Sequence, residues 1–210
     1  MVTIRQHLLG ALLAAVSLFP VLCGAQVVEV AGVKFNQNIQ LGGGPLVLNG
    51  AGIRYKTFFK VYAASLYLQG RASSLEDVLA MPGAKRIHLI LLRSLDGGEF
   101  GKLLAAGIEK NSTREEFIHS LPAILRMGES AARYKQLDAG DSMTIDWVPN
   151  VGVTLYVKGR QEVGPYKDPE FFAAMAKIWL GRAPADASLK EALLGQRDGR
   201  PVNNAQLKLP

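Results

Sequence analysis

The stretch Lys60 to Leu68 limits the folds open to this chain more than any other. Its alternation sets Val61, Ala63, Ser65 and Tyr67 on one face and Tyr62, Ala64, Leu66 and Leu68 on the other. Both faces are largely apolar, so this strand has to be covered on both sides. The surrounding sequence supplies the cover. Val27 to Gln40 and Leu46 to Leu68 read as strands, with turns expected at Gly42-Gly43-Gly44-Pro45 and at Asn49-Gly50-Ala51-Gly52. A short helix is expected over Leu75 to Ala80, broken by Met81-Pro82-Gly83, and a further strand over Arg86 to Arg93, ended by Asp96-Gly97-Gly98.

The period then changes. Phe100, Leu103, Leu104, Gly107 and Ile108 recur at helical spacing, as do Phe117, Leu121, Ile124, Gly128 and Ala131. The second helix opens on a capping-box pattern from Ser112 to Glu115 and is expected to bend or shift at Pro122. Ser142 to Val148 and Val151 to Lys158 form a hairpin about Pro149-Asn150, and Arg160 to Val163 adds a short strand. Asp168-Pro169 starts a helix with Phe172, Met175, Ala176, Trp179 and Leu180 on one face, closed by Gly181; Ser188 to Leu194 forms the last. The order of strands, helices, strands and helices indicates an α+β fold rather than a parallel βαβ sheet.

The chain has 210 residues, 49% of them hydrophobic and 20% charged, which suits one globular domain and excludes a disordered chain. A net charge of +6 is carried by singly spread Lys and Arg, so nucleic acid is not the expected partner. Residues 1–25 read as a signal peptide: Arg5, the apolar run Leu8 to Leu22, then Cys23-Gly24-Ala25 before a cleavage ahead of Gln26. The run is shorter than the roughly 20 residues of a bilayer-spanning helix, so no stable membrane span is expected. Cys23 raises lipidation as the alternative, although Leu22 is larger than a lipid-attachment box requires. Cleavage leaves a cysteine-free domain over residues 26–195 with a loose tail at 196–210, bound for the periplasm or the medium. Export places cytosolic nucleotides and nicotinamide cofactors out of reach, and no cofactor is expected.

Chemistry-bearing patterns are few. The glycine clusters at 42–44 and 50–52 lack the strand, loop and helix order of a phosphate loop and read as turn or bulge glycines. No G-x-S-x-G occurs; His7, His88 and His119 lie far apart, and no metal site is expected. His88 reads as a strand histidine, His119 as a helix one. Gly52 to Leu68 stands out because it places Arg54 and the tyrosines among apolar side chains. A partly buried guanidinium costs several kcal/mol unless an anion meets it. Either a protein carboxylate or a ligand could do so, or the side chain could reach the surface.

Gly50-Ala51-Gly52-Ile53-Arg54, Phe59-Lys60-Val61-Tyr62-Ala63 and Leu66-Tyr67-Leu68, together with Phe171-Phe172, Ile178-Trp179-Leu180-Gly181, Leu189-Lys190 and Leu193-Leu194-Gly195, resemble the chalcone isomerase family, in particular its bacterial, exported members. The resemblance spans about Phe35 to Gly195. It implies an open-faced sandwich, a large antiparallel sheet packed against helices with a ligand cleft between. The family includes plant enzymes that close a chalcone into a flavanone and fatty-acid binders that hold a carboxylate with arginine and tyrosine. Arg54 matches the arginine of both kinds, and Tyr62 the tyrosine of the binders. The enzymes also carry a catalytic tyrosine and, seven residues on, an asparagine; here Phe100 and Gly107 stand in their places. The resemblance therefore implies a binding protein for a fatty acid or similar amphiphile, with Arg54 and Tyr62 at the carboxylate and Phe58, Leu66, Phe100 and Leu104 along the apolar part. Two alternatives remain at this level: a cofactor-free isomerase using Arg54 with Tyr62 or Tyr67, and an envelope interaction module.

Overall fold

The structure, a computed structural model, describes residues 26–197 and 200–201; the expected leader and residues 198–199 and 202–210 of the expected tail lie outside them. A hairpin of β1 (Val27–Val30) and β2 (Val33–Asn36) precedes the main sheet. That sheet has seven antiparallel strands in chain order: β3 (Asn38–Leu41), β4 (Gly44–Lys56), β5 (Phe59–Leu68), β6 (Lys85–Leu91), β7 (Ser142–Val148), β8 (Gly152–Val157) and β9 (Arg160–Tyr166). Helix α1 (Leu75–Ala80) joins β5 to β6, while α2 (Gly97–Asn111) and α3 (Arg114–Ala132) join β6 to β7. Helices α4 (Pro169–Leu180) and α5 (Ala187–Leu193) follow the sheet, and β10 (Gln196–Arg197) pairs with β11 (Arg200–Pro201). The architecture is the α+β sheet-and-helix sandwich that the strand and helix periods require.

Strand β5 is covered on both sides, as its two apolar faces demand. Tyr62, Ala64, Leu66 and Leu68 enter the core beneath the helices. Ala63 and Tyr67 enter a second core, with Phe35, Leu46 and Leu48, against which the β1–β2 hairpin packs. Helix α4 fills the middle of the first core, burying Phe171, Phe172, Met175, Ile178 and Trp179 among others. Each such large apolar side chain contributes roughly 1.5–3 kcal/mol. Its start is set by Asp168, whose side chain accepts from the Glu170 N–H, with Pro169 in the first turn.

The glycine-rich segment at 49–52 is not a turn. Strand β4 runs through it without a break, with a register shift between Leu48 and Gly50. A Cβ at Gly50 would strike the Ala192 carbonyl oxygen, and one at Gly52 would lie 2.6 Å from the Ala192 Cβ. The glycines therefore let α5 lie directly on β4. Asn49, 2% exposed, locks this contact: its Nδ2 donates to the Ala72 and Leu193 carbonyls, and its Oδ1 accepts from the Ala72 N–H. The reversal falls instead at Thr57-Phe58, a two-residue loop between the paired Lys56 and Phe59, with Thr57 at φ 57°.

Two helix starts also differ from the sequence reading. Asp96 does not merely end β6; its side chain accepts from the Glu99 N–H and caps α2, so that helix begins at Gly97. The capping box of α3 is Thr113 with Glu116, one residue later than the Ser112 and Glu115 pattern. Hydroxyl and acid occur at both registers, so the pattern alone does not choose between them. Helix α3 then continues through Pro122 to Ala132.

His88 shows what this burial does to a titrating group. Its Nδ1 lies 2.7 Å from Thr144 Oγ1 and its ring meets Phe35 edge-on. Burial chiefly, reinforced by the nearby Arg86 charge against a smaller opposing effect of Asp146, lowers its pKa to about 4. The folded state thus resists taking a proton that the unfolded chain accepts below about pH 6.5. Stability from this group is complete above about pH 6.5 and lost as pH falls through 4, a change of about 3 kcal/mol between pH 7 and pH 4. Urea denaturation of wild type and His88→Gln across that range should show the variant losing less stability by roughly that amount.

Candidate functional site

Arg54 and Tyr62 are brought together by strand register. They are direct cross-strand partners on β4 and β5, so both side chains leave the same face of the sheet. A register shift next to the pair leaves Val61 unpaired, and Val61 joins Tyr62 in the core beneath the helices. Arg54 is half-buried, with its Cζ 5.5 Å from the centre of the Tyr62 ring. That cation–π contact is worth about 0.5–2 kcal/mol. Among the described residues the guanidinium has no carboxylate within 4.0 Å, and its buried Nε has no hydrogen-bond partner.

Tyr62 is 2% exposed, and its oxygen accepts a 2.8 Å hydrogen bond from Trp179 Nε1. No described residue accepts its hydroxyl proton. Burial pushes its pKa up to about 12; Arg54 and the Trp179 hydrogen bond oppose this, and the negative charge of Asp186 adds to it. At neutral pH the phenol is therefore protonated and able to donate. Asp186 is the nearby acid that does not neutralise Arg54, because it is engaged elsewhere. Its Oδ2 accepts from the Tyr55 N–H, and its Oδ1 accepts from the Ser188 hydroxyl and the Leu189 N–H, capping α5. Burial works against its charge, but these hydrogen bonds outweigh it and hold the carboxyl below its ordinary pKa.

The arrangement is thus a cation with free donors, a phenol with a free proton and no protein anion between them. It suits a carboxylate, which takes a bidentate guanidinium and a further O–H donor. Of the expected apolar partners, Leu66 on β5 and Phe100 and Leu104 on α2 belong to the same helix-side core as Tyr62, each no more than 4% exposed. Phe58 does not. It stands 89% exposed at the tip of the β4–β5 hairpin, because the two-residue turn falls there, and it cannot line a cleft under the helices. Trp179 and Asp186 were not legible as site residues. The first reads as part of an apolar helix face, and its only hint is that a buried indole N–H needs an acceptor.

Gly107 explains why α2 carries no asparagine there. A Cβ at this position would lie 2.9 Å from Ile178 Cγ2, so the glycine is what lets α2 rest on α4. Phe100, 4% exposed, offers no hydroxyl. One set of three possible metal ligands occurs among the described residues: His119, Asp168 and Glu170, whose ligand atoms lie within 4.8 Å of one another at the surface. His119 pairs there with Asp168 at 3.0 Å, and Asp168 also caps α4.

Residues 27–195 match the family model described as chalcone isomerase-like, and the chain belongs to that family. Among solved structures it is similar to a fatty-acid-binding protein of Arabidopsis thaliana, at 15% sequence identity and a TM-score of 0.62, over 80% of this chain and 96% of that one. A search of curated proteins gives no match. At that identity the similarity establishes the fold.

The close approach at Gly107 is testable. Gly107→Asn should cost roughly 1–3 kcal/mol by overpacking against Ile178. In a double-mutant cycle with Ile178→Ala, followed by urea denaturation, the double variant should cost less than the sum of the two single variants; strict additivity would mean that Gly107 is not held against Ile178.

Proposed function

We propose that this protein is an exported, non-catalytic binding protein that holds a fatty acid or similar apolar carboxylate, its head group at Arg54 and Tyr62. The observation that carries this reading is the Arg54 guanidinium, half-buried against Tyr62 with no anion of the protein to meet it. A ligand carboxylate removes that cost and supplies the missing acceptor for both the guanidinium and the phenol. The fatty-acid-binding activity named for the Arabidopsis thaliana protein of the same fold supports the same ligand class. Leu66, Phe100 and Leu104 supply the apolar lining, and because they are closed into the core, seating an alkyl chain among them requires α2 to part from the sheet.

Export rests on Arg5, the apolar run Leu8 to Leu22 and Gly24-Ala25. No helix among the described residues is long and apolar enough to cross a membrane. N-terminal sequencing of protein recovered from its native host should begin at Gln26; a chain retaining Met1 contradicts export, and a diacylglycerol on Cys23 replaces release with anchoring.

Titration with dodecanoate tests the ligand reading. Wild type should bind saturably with a change of amide exchange in residues 97–111, and Arg54→Ala should remain folded and lose binding. Tyr62→Phe, which deletes one charge-assisted donor worth about 1.5–3 kcal/mol, should weaken binding by roughly ten- to a hundredfold. Equal affinity in wild type and Arg54→Ala sinks the assignment.

A further inference from the structure

A second uncompensated cation lies at the opposite end of the helix-covered face. Lys85 opens β6, six residues before Leu91, which is the cross-strand partner of Tyr62. At about 3.3 Å per residue the two places are roughly 20 Å apart. Lys85 is only 4% exposed, a rare state for a lysine without an acidic partner. Among the described residues no carboxylate lies within 4.0 Å of its ammonium; it donates to the Met81 carbonyl at 2.6 Å and more weakly to that of Gly83 at 3.4 Å. One N–H is left over. Burial lowers its pKa from the ordinary lysine value, as expected of an ammonium with only carbonyls around it.

An open cleft of about 410 Å³ lies over this position, lined by Met81, Pro82, Lys85, Trp147, Phe172 and their neighbours. That volume falls within the usual range for small-molecule sites. Trp147 is the cross-strand partner of Lys85, and its ring lies 6.2 Å from that of Phe172, tilted by 38°. The Lys85 ammonium sits 6.0 Å from the Phe172 ring centre. The cleft thus combines aromatic walls with one buried positive charge. Glu170 is the acid on its lining, largely exposed and 3.6 Å from His119. Its charge disfavours a dianion such as a phosphate monoester and leaves a single negative charge as the complement of Lys85.

We propose that this cleft is a second ligand site, for a small amphiphilic monocarboxylate whose apolar body lies against Trp147 and Phe172 and whose carboxylate meets the Lys85 ammonium. The proposal is independent of the Arg54 site, since the two share no side chain.

Calorimetric titration of the whole protein with 2-naphthoate, alongside the neutral 2-naphthalenemethanol, tests it. Wild type should bind naphthoate saturably, and bind the alcohol at least about tenfold more weakly. Lys85→Met, which keeps the apolar stem and removes the charge, should bring the acid down to the affinity of the alcohol. Ala173→Trp fills the half-exposed wall of the cleft and should block both compounds; it carries the test if Lys85→Met fails to fold. In the Arg54→Ala background, which removes any binding of the acid at the first site, naphthoate should still bind saturably, and adding Lys85→Met there should abolish its preference over the alcohol. No saturable binding by wild type, equal affinity for acid and alcohol, or loss of naphthoate in Arg54→Ala with retention in Lys85→Met would each overturn the assignment, the last by moving the compound to the first site.

Discussion

The half-buried Arg54 guanidinium, facing the Tyr62 ring instead of a carboxylate, is the constraint around which the rest of the site is arranged. A charge in that position is costly, and the cation–π contact returns only part of the cost. Ordinary stability would place an acid opposite it. The nearby acid, Asp186, spends both its oxygens on the Tyr55 N–H and on the cap of α5. The cation is thereby kept available, and Trp179 orients a protonated phenol beside it.

The packing that secures this arrangement is distant in sequence. Helix α5 can carry Asp186 to the end of β4 only because Gly50 and Gly52 let it lie on the strand and Asn49 ties its C-terminal end down. Helix α4 presents Trp179 to Tyr62 near one end and Phe172 to the Lys85 cleft near the other. One buried helix thus braces two places where a cation lacks an anion, and Gly107 lets α2 close over it.

Much of the fold was legible because it follows from local period. The two faces of Lys60 to Leu68, the α1 bounds, the β7–β8 hairpin and the Asp168-Pro169 start of α4 all appear where periodicity and capping place them. What was misread depended on long-range contact. Gly50 and Gly52 read as turn or bulge glycines; the register shift at Leu48 and Gly50 fits the second, their close approach to α5 was hidden, and the true turn at Thr57-Phe58 lacks the Asn-Gly signal of a two-residue hairpin. Phe58, expected in the lining, stands in solvent because the turn falls there. Arg54 stood out as a charge among apolar side chains, its role beside Tyr62 was implied by family resemblance, and their adjacency comes from strand register. Lys85 carried no signal, because a missing counter-ion is a property of three-dimensional surroundings and not of neighbours in the chain.

The claim at the centre of this account is that Arg54 awaits an anionic partner from outside the protein. The direct measurement is the Arg54 Nε–H resonance in protein carrying ¹⁵N-labelled arginine, followed during titration with dodecanoate and assigned by its absence in Arg54→Lys. The account predicts a saturable shift of that resonance with slowed solvent exchange, as the buried Nε–H side of the guanidinium gains its acceptor. A resonance unmoved at saturating dodecanoate would contradict it.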